Sequence, residues 1–302
     1  MSVAATTARE TTRSVTSGRR KDRNPGSLLF LVALWFSLFF GVMVLVVLIV
    51  DTAIQGAPRF DSALITDYTS RITTSESGFR AGILGSLWLM AFTALFAVPL
   101  GIAAALYLEE FADGNRWWNR LIELNLQNLA AVPSIVYGLL AVAVMALLGF
   151  TSTGIVLGGA LALALLILPV IIITTREAVR AVPQDIRQGS LALGATVWQT
   201  TWRQTLPSAI PGIATGTILG LSRAIGEAAP LVIVGLAVGL RFDPEGVLSQ
   251  VTALPLQIYT LTSDPQEDLQ IAASAGIIVL LVMILGMNAL AIFIRNKFQR
   301  SW

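Results

Sequence analysis

The chain has 302 residues, of which 55% are hydrophobic and 13% charged, with a formal net charge of +2 and neither Cys nor His. A soluble domain carries roughly 25% charged residues, so this composition excludes an ordinary water-soluble globule. The missing residue types exclude disulfides, thiolate or imidazole metal sites, and Cys- or His-based catalysis. Lysine occurs only at Lys21 and Lys297, and neither follows Gly. A P-loop, which needs Gly-Lys before Ser or Thr, is therefore excluded too.

The apolar residues fall in blocks of about twenty, the length that spans a bilayer as helix. The alternating segments of about ten residues that a barrel requires are missing. The reading is an all-α polytopic membrane protein. Residues 1–27, with GRRKDR at 18–23, predict a disordered basic tail, and residues 28–302 a transmembrane domain. The run Leu28–Val50 has no small-residue cleavage site and predicts an uncleaved first span. Five further spans follow: Gly82–Leu108 with Pro99 inside, Leu126–Leu148 with Pro133, Ile155–Thr175 with Pro169, Ala209–Leu240, and Ile271–Ile294. The internal prolines predict kinks.

Six spans place both termini on one side. Lys plus Arg then number 15 on that side and 4 on the other, with Arg223 completing the 20. The positive side is the cytoplasmic one, so both termini are expected in the cytoplasm. The opposite loops are acidic, with Asp51, Asp61, Asp67, Glu76, Asp243, Glu245, Asp264, Glu267 and Asp268. They are read as solvated, as is the pair Glu109–Glu110. RWWNR at 116–120 reads as an aromatic anchor at the membrane interface.

The cytoplasmic segment 176–208 departs from a plain connector. Pro183 suits the start of a helix and Asp185 its first turn. Leu191, Ala192, Ala195 and Trp198 recur at helical spacing, and Gly194 is placed to divide the run into two short helices. A helical, partly apolar loop suits a docking surface; the alternative is an amphipathic helix on the membrane.

The segment SRAIGEAAP, Ser222–Pro230, puts Arg223 and Glu227 inside the fifth span. Each charge costs about 2.5–3.5 kcal/mol at a helix centre, so both must face protein or water. Four residues apart, they share a face and can pair. At about 100° per residue, Gly212, Gly216 and Gly220 fall on the same stripe, about 80° wide. Small residues there admit a close partner helix or leave a groove. Pro230 is expected to free the Gly226 carbonyl and kink the helix. Arg223 offers bidentate hydrogen bonds suited to a tetrahedral oxyanion, with Glu227 as its counter-ion between substrates; a purely structural clamp is the alternative. Thr215, Thr217 and Ser222 fall off the stripe and are expected to bond to their own backbone or to a neighbouring helix.

The loop resembles the EAA motif of ABC importer permeases. Gly194, Leu206 and Pro207 match its glycine and its Leu-Pro. The Glu-Ala-Ala positions read Gln188, Gly189 and Ser190, and the aliphatic position reads Gln204. SRAIGEAAPLVIVG, together with AVPSIVYGL at 131–139 and the stretch 174–196, resembles the permeases of phosphate (Pst) importers over about residues 80–295. The resemblance implies an ABC importer type I permease fold in a bacterial plasma membrane, with Arg223 and Glu227 on the substrate pathway. It implies ATPase coupling through Gln188, Gly189, Ser190, Gly194, Ala195, Leu206 and Pro207. Expected partners are a second homologous permease, two ATPase subunits, an external phosphate-binding protein and membrane lipids, with no nucleic acid. ATP and Mg2+ would sit on the ATPases, with no cofactor on this chain. A permease for sulfate, molybdate or amino acids, or an ATP-independent channel or transporter, is the alternative. A membrane enzyme would need a cluster of acids, bases or metal ligands that the sequence lacks.

Overall fold

The computed structural model describes residues 25–113 and 116–298. The basic tail expected over residues 1–27 therefore lies outside the described residues up to position 24. Among the described residues there is no strand, only an isolated antiparallel bridge between Ile155 and Gln250.

The chain divides into two units after Asp51. The first holds most of helix α1 (Pro25–Gly56), which is apolar around its whole circumference. A helix with that pattern is covered by protein or lipid on every side. The second unit contains α2 (Arg80–Leu106), prolonged by a π-helical turn, Tyr107–Phe111. Helices α3 (Trp117–Ala130), α4 (Ser134–Leu147), α5 (Val156–Arg180) and α6 (Gln184–Ala192) follow. A helical turn, Val197–Thr200, and a π-helical turn, Thr201–Thr205, lead into α7 (Leu206–Ile225). The last elements are α8 (Ala229–Val234), α9 (Leu254–Thr262) and α10 (Glu267–Phe298). By length and composition α1, α2, α5 and α10 are each able to cross a membrane, and the bent pair α3–α4 makes a fifth candidate.

The four prolines expected inside spans act differently. Pro99 and Pro169 stay inside α2 and α5, where neighbouring helices offset the lost hydrogen bond. Pro133 does not. It is extended (φ −56°, ψ 138°), and α3 and α4 meet at 116°. The predicted span Leu126–Leu148 is thus broken rather than kinked, because a proline disfavours helical geometry at the residue before it. The Tyr137 hydroxyl donates to the Leu129 carbonyl across the bend, at 2.6 Å. The span predicted over Ala209–Leu240 is broken as well. α7 stops at Ile225, residues 226–228 leave the helix, and α8 ends at Gly235 with φ +82°. Pro230 falls in the first turn of α8, where its missing N–H leaves no hydrogen bond unmade.

α5 forms the core. It packs chiefly against α2 and α7, and Val156, Ala160, Ala162, Ile167 and Ile171 on it are fully buried. Glycines set the spacing. A Cβ on Gly101 of α2 would lie 2.6 Å from Ile171, and one on Gly212 of α7 would lie 2.6 Å from the Ala178 side chain. Gly216 faces Thr174, and Gly220 sits over Ile167 and Ile171. The glycine stripe is therefore occupied by α5, the close partner helix that was one of its two readings. With no side chains of its own, the stripe lets α5 into van der Waals contact. On α4, Gly138 plays the same part for Pro230 and Ile233 of α8.

The acidic loops at the N-terminal end of α2 are also less solvated than expected. Asp264 is buried beside Arg71, at 3.5 Å. Arg80 donates to Asp243 at 2.7 Å, and the Tyr68 hydroxyl donates to the same carboxylate. Buried Arg59 donates to the carbonyls of Thr74 and Ser77, both at 2.7 Å. These bonds fold residues 57–79 onto the helix ends.

Gly216→Leu should push α7 off α5 and cut both membrane abundance and the Tm of the detergent-solubilised protein. Gly220→Ala, whose nearest neighbour would lie at 3.5 Å, should change both little. Thermal-shift fluorescence on the two variants checks this; equal behaviour would contradict the packing account. Near neutral pH, Asp243→Asn should lower Tm. The Arg80 hydrogen bond, aided by that from Tyr68, outweighs burial and holds the Asp243 carboxyl below its ordinary value of 3.8. A depressed pKa gives stability that is full above the ordinary value and lost as pH falls through the lowered one. The Tm gap between wild type and variant should therefore close in acid, as a stepped-pH melting series would show.

Candidate functional site

α7 begins at Leu206 and Pro207, with Pro207 in its first turn, where the ring costs no hydrogen bond. Its contacts fix its depth. Gly212 lies level with Ala178, Gly216 with Thr174, and Gly220 with Ile171 and Ile167, near the middle of α5. Arg223 follows one turn on, in the last turn of α7. Glu227 lies past the helix end, not on the helical face the sequence suggested, yet its Oε1 still comes within 3.6 Å of Arg223 Nε. The side chains are 42% and 25% exposed. Among the described residues the Arg223 guanidinium donates no hydrogen bond, and its one ion pair is the loose contact with Glu227. The helix C-terminus beside it favours a cation. Five N–H donors thus stand ready at mid-depth of the helical core, an arrangement that suits a transient oxyanion ligand.

Two of the three neighbouring hydroxyls, those of Thr215 and Ser222, are engaged elsewhere as expected, whereas that of Thr217 makes no hydrogen bond among the described residues. Thr215 donates to Pro211 O at 2.8 Å and accepts from Arg295 at 3.0 Å. Ser222 Oγ lies 2.6 Å from both Ile218 O and Asn288 Oδ1.

The loop 181–205 carries a second candidate surface. Pro183 caps α6 and Asp185 lies in its first turn. Gly194, at φ +85°, closes α6, with Ala195 N donating to Ser190 O at 3.2 Å. A non-glycine residue would be strained there. This turn separates Leu191 and Ala192 from Trp198, so the helical spacing noted in the sequence does not lie on one helix. Gln188 and Gly189 are exposed on α6, while Ser190 is hydrogen-bonded to Thr200 at 2.9 Å. Leu206 packs on the cluster of Val179, Val182, Ala209 and Ile213. Leu193 at the crest is 91% exposed. Trp198 and Trp202 are also exposed, with Trp198 in tilted ring contact with both Phe111 and Trp202. Such a crest needs an apolar cover.

Between the two surfaces lies an ion network that the sequence did not disclose. Arg176 and Arg180 of α5 both donate to Glu109, at 3.2 and 2.7 Å, and Arg176 also donates to Glu123 at 2.8 Å. Arg176 is 12% exposed and Glu109 14%. Glu110 is buried against Arg187, at 3.1 Å. Glu109 and Glu110, expected as solvated ends, are thus fixed by cations 67–77 positions away in sequence, beyond the reach of local patterns. A cleft of about 170 Å³ opens among Glu109, Asn119, Arg120, Glu123, Arg176 and Arg180.

This combination of a broken core helix and a short helical pair projecting from the bundle agrees with what the chain resembles. Residues 97–300 match the model of the binding-protein-dependent transport system inner membrane component family. The chain belongs to that family: it is a multi-pass transport permease. Its relatives include the phosphate transport system permease protein PstA of Yersinia pestis, 30% identical over 281 residues and 92% of each chain. PstA 1 of Mycobacterium tuberculosis is 35% identical over 220 residues, covering 72% of this chain and 70% of that one. A probable PstA of Methanocaldococcus jannaschii is 33% identical over 253 residues, 83% and 85% of the two. In fold, the chain is similar to a bacterial ABC transporter that imports the acidic polysaccharide alginate, with a TM-score of 0.59 at 16% identity over 95% of this chain and 99% of that one. It is also similar to the inward-facing MetNI methionine transporter, with a TM-score of 0.58 at 18% identity, covering 73% and 97%. The fold is thus that of ABC importer permeases.

Glu109→Gln should lower stability by about 2 kcal/mol, less than the roughly 3–5 kcal/mol of breaking a fully buried pair. Glu177→Gln, at a side chain 67% exposed, should shift it by no more than about 0.5 kcal/mol. Denaturant titration of the reconstituted protein distinguishes the two; equal effects would mean the network is only a surface feature.

Proposed function

We propose that this chain is the transmembrane permease subunit of an ATP-driven phosphate importer. It forms half of the pathway and couples it to ATPase subunits. The observation that carries this reading is Arg223, held at mid-depth with a loose counter-ion and no hydrogen-bond acceptor of its own. A phosphate competes with Glu227 for the guanidinium, binds with planar complementarity, and leaves when Glu227 re-forms the pair. The named activity of the Pst relatives supports phosphate as the substrate.

In this reading six spans cross a bacterial inner membrane with both termini cytoplasmic: α1, α2, the α3–α4 pair, α5, α7 with α8, and α10. α7 is 20 residues long, about 30 Å, enough for the hydrocarbon core. The chain has no phosphate-binding loop, so ATP and Mg2+ belong to two ATPase partners. These dock on the apolar crest at Leu193 and on Gln188, Gly189, Ser190, Gly194 and Ala195. A second permease faces the Arg223 side, and an external binding protein delivers phosphate past the acidic loops, which attract no anion unaided. Closure of the ATPases moves α6, and the bundle alternates its opening.

Arg223→Gln should cut uptake of radiolabelled phosphate by about 10- to 100-fold, the equivalent of one charged hydrogen bond. The complex should still assemble. Arsenate should compete with wild-type uptake and sulfate should not. Normal transport by the variant would make the pair a structural clamp. Competition by sulfate instead of arsenate would replace phosphate as the substrate.

A further inference from the structure

α6 is nearly detached from the helices that cross the membrane. None of its residues is buried. Ser190 ties it to Thr200 in the turn before α7. Among the described residues, its other polar side-chain contacts come from Arg187, which is 16% exposed. Arg187 Nη2 donates to the Val179 carbonyl at 2.6 Å. That carbonyl belongs to the last turn of α5 and also accepts from Val182 N at 3.2 Å. The same guanidinium lies 3.1 Å from Glu110 Oε1, on the π-helical turn that ends α2. One side chain of α6 therefore touches α5 and α2 together.

The contact with Glu110 is an ion pair without hydrogen-bond alignment. Neither Glu110 Oε1 nor Arg187 Nε has a hydrogen-bond partner, and both atoms are buried. A buried polar atom without a protein partner calls for an explanation, stored strain being one. π-helical turns likewise recur at functional places in helices. The neighbouring residue on this turn, Glu109, is bound to Arg176 and Arg180 of α5. The turn thus grips α5 through Glu109 and α6 through Glu110, and a shift of either acid drags the other.

From this geometry we infer that Arg187 and Glu110 form the joint through which displacement of α6 reaches α2 and α5. Both are positioning residues, and neither touches substrate or nucleotide. The inference rests on the importer reading above, because it assigns α6 to the ATPase. Loss of Arg187 leaves α6 on the ATPase while the transmembrane helices no longer follow it. ATP is then hydrolysed without transport. Because the link to Glu110 works through charge and reach, reversing both partners keeps that ion pair and gives up only the donation to the Val179 carbonyl.

The test uses the complete importer in proteoliposomes, with ATP hydrolysis, phosphate uptake and subunit stoichiometry measured on the same samples. Arg187→Ala and Glu110→Gln should each retain bound ATPase and basal hydrolysis. Phosphate moved per ATP should fall about tenfold, within the usual range of coupling between sites. Arg187→Glu combined with Glu110→Arg should restore most of that ratio. A wild-type ratio in Glu110→Gln overturns the joint, and so does a double reversal that rescues nothing. Loss of bound ATPase in both single variants also overturns it, since the pair would then only attach α6. Failure of the importer reading itself looks different: the wild-type complex would move no phosphate.

Discussion

In a bilayer the lipid tails are as apolar as the side chains they surround, so helices adhere only where their surfaces meet closely. α5 meets that condition on two sides at once. Gly101 brings α2 against Ile171, and Gly212 and Gly216 bring α7 against Ala178 and Thr174. The short distances increase dispersion contacts and lock the three helices in register. That register sets the level of Arg223 opposite the middle of α5. It also brings Arg176 and Arg180 to the end of α2, where Glu109 waits. A side chain at Gly216 would misplace Arg223, and one at Gly101 would misplace the network at Glu109.

Arginine serves three distinct ends in this molecule. Arg59 and Arg187 are nearly enclosed and spend their donors on backbone carbonyls, pinning loop and helix end in place. Arg176 and Arg180 are cross-links between helices. Arg223 alone among these holds its donors in reserve. The contrast assigns a role to each without appeal to position in the sequence, since a guanidinium already saturated by protein has nothing to offer a passing anion.

Much of this was readable from residue order. The apolar blocks located the long helices, Pro183 and Gly194 bounded α6, and Arg223 with Glu227 stood out against their surroundings. The pairing survived although the reasoning assumed a continuous helix. What escaped depended on neighbours. Pro133 and Pro169 sit in similar apolar runs, yet one breaks the helix and the other does not; the Tyr137 hydroxyl and the docking of α8 on Gly138 belong to the broken form and have no local signature. The glycine stripe announced a close approach without saying whether a helix or empty space would occupy it. Glu109 and Glu110 looked like ordinary polar ends because their partners are far along the chain.

The interruption at residues 226–228 has a consequence for how the subunit is turned within the bilayer. Backbone that leaves a helix at this depth exposes polar groups that hydrocarbon cannot solvate, and it persists only beside protein or water. Arg223 and Glu227 flank the interruption and are partly exposed. On the proposed reading, in which α7 and α8 cross the membrane together, that side is the hydrated one, and lipid is confined to the remaining circumference. On that reading a monomer alone would present a wet flank to acyl chains, and covering this flank with another protein would be favoured.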